Sequence, residues 1–289
     1  MESSLEHTLL FEAIGTHWSI KTERELSEEV KLAIHSRIET FDMTYSRFRK
    51  DSLVTKIAQQ KGTFVFPEDA MPLFAFYRKL YELTNGKMTP LIGGMLEKAG
   101  YDANYSLQPK TQESLPAWDD VLKIDGTKVT TTQPVTLDVG AAGKGYLVDV
   151  ICELLDRAGI NEYVVDASGD LRHKGHNENR VGLEDPREPG AVIGVIDVRN
   201  QSLCASAITR RKWGKYHHVF DPDTKDSTKG IVATWVTADS TMLADGIATS
   251  LFFVDPNAIR KEFTFEFVRM HDDGGVEYSP AFEKALFEG

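Results

Sequence analysis

The chain has 289 residues, with 33 Lys and Arg against 44 Asp and Glu, a formal net charge of −11. Hydrophobic residues make up 41% and charged residues 27%, a globular composition with enough chain for a substantial core. The acidic balance weighs against a nucleic-acid binder, and no apolar run approaches the ~18 residues of a membrane-spanning helix.

In chain order, the start at Met1-Glu2-Ser3-Ser4 lacks the basic and apolar regions of a secretory signal, so the chain as written is expected in the cytoplasm unless a leader has been removed. Residues 17–22 read as a strand. Leu26, Val30, Ala33, Ile34, Ile38 and Phe41 recur at helical spacing. A short strand at 63–66 precedes a helix over about 67–83, with Gly86 as its stop. The glycine-rich stretch 86–114 reads as an irregular binding loop or flap. Short strands are expected at 121–123, 128–131 and 135–138, then a helix at 145–158 closed by Gly159. From there strands dominate: 163–166, 181–183, 192–198, 203–208, 216–220, 232–236 and 263–270. Residues 192–196 are apolar on both parities, which predicts a central strand. Helices are expected at about 240–253 and 257–261. The class is α+β, with mixed, largely antiparallel sheets and flanking helices: one domain over 1–289, with two lobes around a cleft. Cys152 and Cys204 lie far apart and form no CxxC pair, so both read as small buried apolar residues.

Four segments carry chemistry-bearing residues. Leu137-Asp138-Val139-Gly140-Ala141-Ala142-Gly143-Lys144-Gly145-Tyr146 follows a strand and opens a helix. It fits an anion-binding turn as well as it fits a plain tight connection, and it matches neither the Walker A nor the dinucleotide pattern. In the helix after Ser240, Asp245 and Thr249 are four apart and stack on one face. A carboxylate and a hydroxyl there suit a hard cation, although a helical Thr also bonds its own backbone. Tyr216-His217-His218-Val219 places adjacent histidines on opposite faces of a strand, so they cannot share a metal. Ser46-Arg47-Phe48-Arg49-Lys50-Asp51-Ser52 reads in isolation as a charged loop with a capping Asp-Ser.

The order of the blocks says more than any one of them. Ile14-Gly15-Thr16, the segment 46–52, Thr84-Asn85-Gly86-Lys87-Met88-Thr89-Pro90 and Asp138 to Tyr146 with Asp149 come in one sequence. Ser168-Gly169-Asp170-Leu171, Val181 to Pro186, Tyr216 to Pro222 and Ala244-Asp245-Gly246-Ile247-Ala248-Thr249 follow. Together they resemble the FAD:protein FMN transferase family, the ApbE-type flavin transferases.

The resemblance implies an enzyme that cleaves FAD with Mg²⁺, attaches FMN to a Thr or Ser hydroxyl of an acceptor flavoprotein, and releases AMP. It implies Mg²⁺ ligands at Asp245, Thr249 and the Ala141 carbonyl. FAD contacts are implied at Ile14, Phe48, Lys87, Met88, Thr89, Asp138, Lys144 and Val219. Asp245 and His218 are the catalytic candidates, with His218 near the phosphates or the acceptor hydroxyl. Phe48 is suited to stacking on a flat ring. The alternatives are a FAD pyrophosphatase using water, or a FAD-binding protein without turnover. Three positions depart from the family pattern: Thr89 stands in place of an Asp, Lys225 in place of a Gly, and Ala207 in place of a Gly.

Overall fold

The computed structural model describes residues 5–287. Its centre is one eight-stranded sheet in which every neighbouring pair is antiparallel. In spatial order the strands are His7–Ala13, Thr16–Thr22, Tyr163–Asp166, Asp170–Lys174, Ser202–Ala207, Ile231–Ala238, Glu266–His271 and Val276–Tyr278. The sheet is buried on both faces, and the pleat sorts the side chains. Val165, Cys204, Val236 and Phe267 join one core cluster, while their neighbours Val164, Leu203, Trp235 and Val268 join another. The helices Gly143–Arg157 and Thr241–Ser250 pack on the first face. The hairpin Asn179–Glu184/Val192–Val198 packs its Leu183 and Val198 on the second.

The functional segments are carried in the connections. Between the second and third strands run helices Glu28–Tyr45, Leu53–Gln59, Ala70–Leu83, Gly93–Lys98, Trp118–Val121 and Gly143–Arg157. The same insertion carries a three-stranded sheet of Gly62–Val65, Lys128–Thr131 and Leu122–Asp125. Helix starts follow local chemistry: the Ser27, Ser52 and Ser240 side chains accept the N–H groups of Val30, Thr55 and Leu243. Among the described residues, no helix is long and apolar enough to cross a membrane.

The expected class, α+β with antiparallel sheets, holds. Several elements differ. Strand Val192–Val198 is not central: it pairs along its length only with Asn179–Glu184, and a single bridge joins Gly194 to Leu286. Its extra apolar residues, Ile193 and Ile196, pack on the second core cluster. Residues 135–138 pair with no strand. They run extended, with the Val135 and Asp138 N–H groups donated to the carbonyls of Ile57 and Pro90. The 86–114 stretch contains the 3₁₀ turn Pro90–Ile92 and helix Gly93–Lys98. The strand expected at 216–220 is two short pieces, Tyr216–His217 and Phe220–Asp221. His7–Ala13, Leu53–Gln59 and Asp170–Lys174 were not anticipated as elements.

Candidate active site

The turn that opens helix Gly143–Arg157 is fixed from its first residue. Asp138 accepts a 2.6 Å bond from Arg47 Nε and a 2.7 Å bond from the Gly140 N–H. Arg47 also donates to the Tyr101 carbonyl at 2.6 Å, and its guanidinium lies 4.3 Å from the Phe48 ring centre and 4.9 Å from that of Tyr101. Burial works against the charge on Asp138, but Arg47, the Gly140 N–H and Arg211 outweigh it and hold the carboxyl below the usual range. Both partners are therefore charged, and they lock the turn across 91 residues of sequence.

At the start of this helix Lys144 meets Asp170 and Asp245. Lys144 Nζ sits 2.8 Å from Asp170 Oδ2 and donates to the Ala167 carbonyl at 2.9 Å. Asp245 Oδ2 accepts the Gly145 N–H at 2.9 Å and neighbours Asp170. Asp170 is 1% exposed and Asp245 is 7% exposed. Burial, then the Asp170 charge, push Asp245 well above the ordinary carboxylate range, against the pull of Lys144. Burial tends to lower Lys144, but Asp170 and Asp245 together raise it, so it stays an ammonium. Beside the Lys144 ammonium the two buried carboxylates favour a proton on Asp245, a place that a bound cation could take instead.

These groups floor a cleft of about 500 Å³. Lys87, Met88, Thr89, Asp138, Ala141, Lys144, His218, Val219, Asp245 and Thr249 all line it. A second cleft of about 730 Å³ adjoins it and shares Gly15, Tyr101, Asp138, Gly140 and Lys144. Ile14 and Phe48 line only this second cleft. The fold therefore gathers every residue singled out from the sequence around two communicating cavities.

Their local engagements differ. Phe48 stacks on Tyr105 with ring centres 5.3 Å apart and an interplanar angle of 10°, so its ring already has a partner. Lys87 pairs with Asp221 at 2.7 Å and Asp223 at 3.4 Å. Thr89, the residue in place of an Asp, accepts the Leu91 N–H and caps a 3₁₀ turn. Lys225, in place of a Gly, holds φ +56°, so the loop keeps a conformation that glycine favours. His218 Nδ1 is buried without a partner, and burial followed by the Arg211 charge lowers its pKa to about 3.

Sequence reasoning missed Arg47, Asp170 and Tyr77. Arg47 sat in what read as a charged loop, and Asp170 lay in a matched block without an assigned role. Tyr77 lines the first cleft, its buried hydroxyl beside the backbone of Ala141 and Ala142. No local pattern marks it, because it belongs to the apolar face of helix Ala70–Leu83.

The ApbE family model matches residues 14–266, which includes the Arg47–Asp138 pair and the Lys144–Asp170–Asp245 group. The chain belongs to the ApbE family. Among curated relatives it is 29% identical over 224 residues to the FAD:protein FMN transferase of Rhodobacter capsulatus, covering 70% of this chain and 42% of that protein. The chain thus spans less than half the length of that relative. It is 25% identical over 295 residues to the FAD:protein FMN transferase of Vibrio cholerae, covering 92% of this chain and 88% of that one. The solved structure of the ApbE protein from Thermotoga maritima superposes with a TM-score of 0.84 at 22% identity, covering 98% and 99% of the two chains. That likeness establishes the ApbE fold.

Among the described residues, no three His, Cys, Asp or Glu side chains converge as a ready-made metal cluster. A cation at Asp245 would therefore complete its shell with the Thr249 hydroxyl, the Ala141 carbonyl and water. All are hard oxygen donors, which suits Mg²⁺ better than zinc. The raised affinity of Asp245 for a proton beside Asp170 fits a site that a cation would occupy in the proton's place.

Proposed function

We propose that this protein is an Mg²⁺-dependent flavin transferase that takes FAD, moves its FMN part onto a Thr or Ser hydroxyl of an acceptor flavoprotein, and releases AMP. The observation that carries the reading is the Lys144–Asp170–Asp245 group lining the cleft, with Ala141 and Thr249 also on its wall. FAD brings a pyrophosphate, and this group offers a fixed ammonium and a carboxylate in need of a cation.

Asp245, Thr249 and the Ala141 carbonyl would hold Mg²⁺. When bound, the ion neutralises pyrophosphate charge and polarises the phosphorus under attack. Lys144 is held in place by Asp170 and the Ala167 carbonyl, so its ammonium positions a phosphate oxygen without reorganising. Lys87, Met88, Thr89 and Val219 wall the first cleft, and Ile14 and Phe48 wall the second, giving a dinucleotide room for both halves. His218 stays neutral near pH 7 and lines the first cleft, along which the incoming hydroxyl would pass. In the transfer, the bond from the hydroxyl oxygen to the FMN phosphorus forms. The phosphorus–oxygen bond to AMP breaks, and the hydroxyl proton leaves to solvent.

The test incubates the pure protein with FAD, Mg²⁺ and a flavoprotein acceptor. AMP with covalent flavin on the acceptor supports transfer. AMP with free FMN makes the protein a pyrophosphatase instead, and bound FAD without AMP makes it a binding module. Asp245→Asn should lower AMP release at least about 100-fold, in line with losing a charged active-site group. Circular dichroism should stay native, because Asn keeps the size and relieves a buried charge. Full AMP release in EDTA would overturn the metal assignment.

A further inference from the structure

The segment Arg210-Arg211-Lys212-Trp213-Gly214-Lys215 places four cations within six residues of a chain whose net charge is −11. All four cations are exposed. The segment is nonetheless a fixed structure. Lys212–Trp213 and Tyr216–His217 form an antiparallel hairpin, turned at Gly214 with φ +53°. Trp213 is buried, donates its indole N–H to the Ala99 carbonyl at 2.7 Å, and stacks on Tyr101 at 5.3 Å. The His218 N–H bonds the Arg211 carbonyl and ties the hairpin base to the cleft wall.

The cations are mostly uncompensated. Arg210 pairs with Glu184 at 2.7 Å. Among the described residues, Arg211, Lys212 and Lys215 have no carboxylate within ion-pair distance, and Lys215 rests over the Tyr216 ring at 4.9 Å. Their placement is graded. Arg211 lines both clefts, Lys212 lines only the second, and Lys215 lines neither. The positive row therefore leads from the cleft out onto the surface. A nucleotide confined to the clefts cannot use the outer end of such a row, whereas a polypeptide entering the cleft can.

We infer that this hairpin is the docking surface for an acidic stretch of the acceptor protein, next to the hydroxyl that receives FMN. The inference rests on the flavin-transfer reading and adds the chemistry of the partner to it. An acidic protein repels an acidic partner at long range. A local cationic strip reverses that repulsion at the one place where the acceptor must enter, and so orients the chain as it arrives.

The experiment measures binding of a fluorescent peptide, a single Thr flanked by aspartates, to the full chain saturated with FAD and Mg²⁺. The control peptide carries asparagines in place of the aspartates. The acidic peptide should bind about tenfold tighter, and the difference should shrink as NaCl rises from about 50 mM to about 300 mM. The variant Lys215→Gln, outside both clefts, should weaken the preference and leave FAD affinity unchanged. Lys215→Arg should retain the preference. Equal binding of the two peptides to the natural chain, or an undiminished preference in the glutamine variant, overturns the proposal. So does a loss of FAD affinity in that variant, which would assign the cations to the nucleotide. Absence of AMP and covalent flavin in the transfer assay overturns the enzymatic reading separately, because peptide preference is read by binding alone.

Discussion

Asp149 and Asp245 each satisfy the start of the other's helix. Asp149, in helix Gly143–Arg157, accepts the Thr241 and Met242 N–H groups at 2.8 Å each. Asp245, in helix Thr241–Ser250, accepts the Gly145 N–H at 2.9 Å. The first-turn N–H groups of a helix lack intrahelical partners, and here each helix supplies the carboxylate that the other needs. The exchange sets the register between Lys144 and the Asp245–Thr249 face.

Replacing Asp149 with Ala leaves two part-buried N–H groups without acceptors. The expected loss is about 2–3 kcal/mol, and about 1 kcal/mol for Asp149→Asn, which keeps one acceptor oxygen. The Mg²⁺ concentration needed for half-maximal AMP release should rise in both variants. Urea unfolding and a metal titration check this. Unchanged metal demand in a destabilised variant would make Asp149 structural only.

Gly145 is the point where the two helices touch. A Cβ there would meet the Thr241 carbonyl oxygen at 2.3 Å and the Asp245 Cβ at 2.8 Å. Backbone cannot yield as a flexible side chain does, so Gly145→Ala should force the helices apart at a cost of about 1–3 kcal/mol. It should depress AMP release more than thermal stability, because the shift falls on Asp245.

Ile14 holds φ +46° and Gly15 holds φ +74° in the two-residue turn between His7–Ala13 and Thr16–Thr22. Such a turn suits Asn-Gly, and a β-branched residue in the left-handed region costs about 1–2 kcal/mol. Ile14→Asn should therefore raise the melting temperature while weakening FAD, because the second cleft loses an apolar wall. Thermal denaturation and flavin fluorescence read the two effects in opposite directions. A lower melting temperature would mean that Ile14 packing outweighs its strain.

His218, with its Nδ1 closed to solvent, gives stability a defined dependence on pH. Its folded pKa, about 3, lies below its ordinary value of 6.5, so between these values the unfolded chain binds a proton that the folded chain refuses. The contribution is fully present above pH 6.5 and is lost as pH falls, at about 1.4 kcal/mol per pH unit. His218→Gln should flatten the fall in melting temperature between about pH 6.5 and pH 4. Burial lowers His217 and His173 in the same direction, so the slope should shrink and not vanish. An unchanged slope would mean that His218 gains no stability from being neutral.

The sequence by itself determined the local features. Local residue patterns marked most strands of the sheet and the main helices, and the i, i+4 spacing put Asp245 and Thr249 on one face. The order of the blocks carried the family. Each of these rests on interactions within a few residues, so a pattern in the chain suffices to show it. Only the tertiary structure decided what depends on distant partners. Val192–Val198 looks central by its apolar content, but which strands it pairs with is a question of packing, and it lies over the sheet. Arg47 reads as a loop charge until Asp138 arrives from 91 residues away. Asp170 gains its meaning from Lys144, and the Asp149–Asp245 exchange joins helices about a hundred residues apart. Buried charges are tolerated only where the fold brings partners together, and that is why the site's electrostatics could be read only from the folded chain.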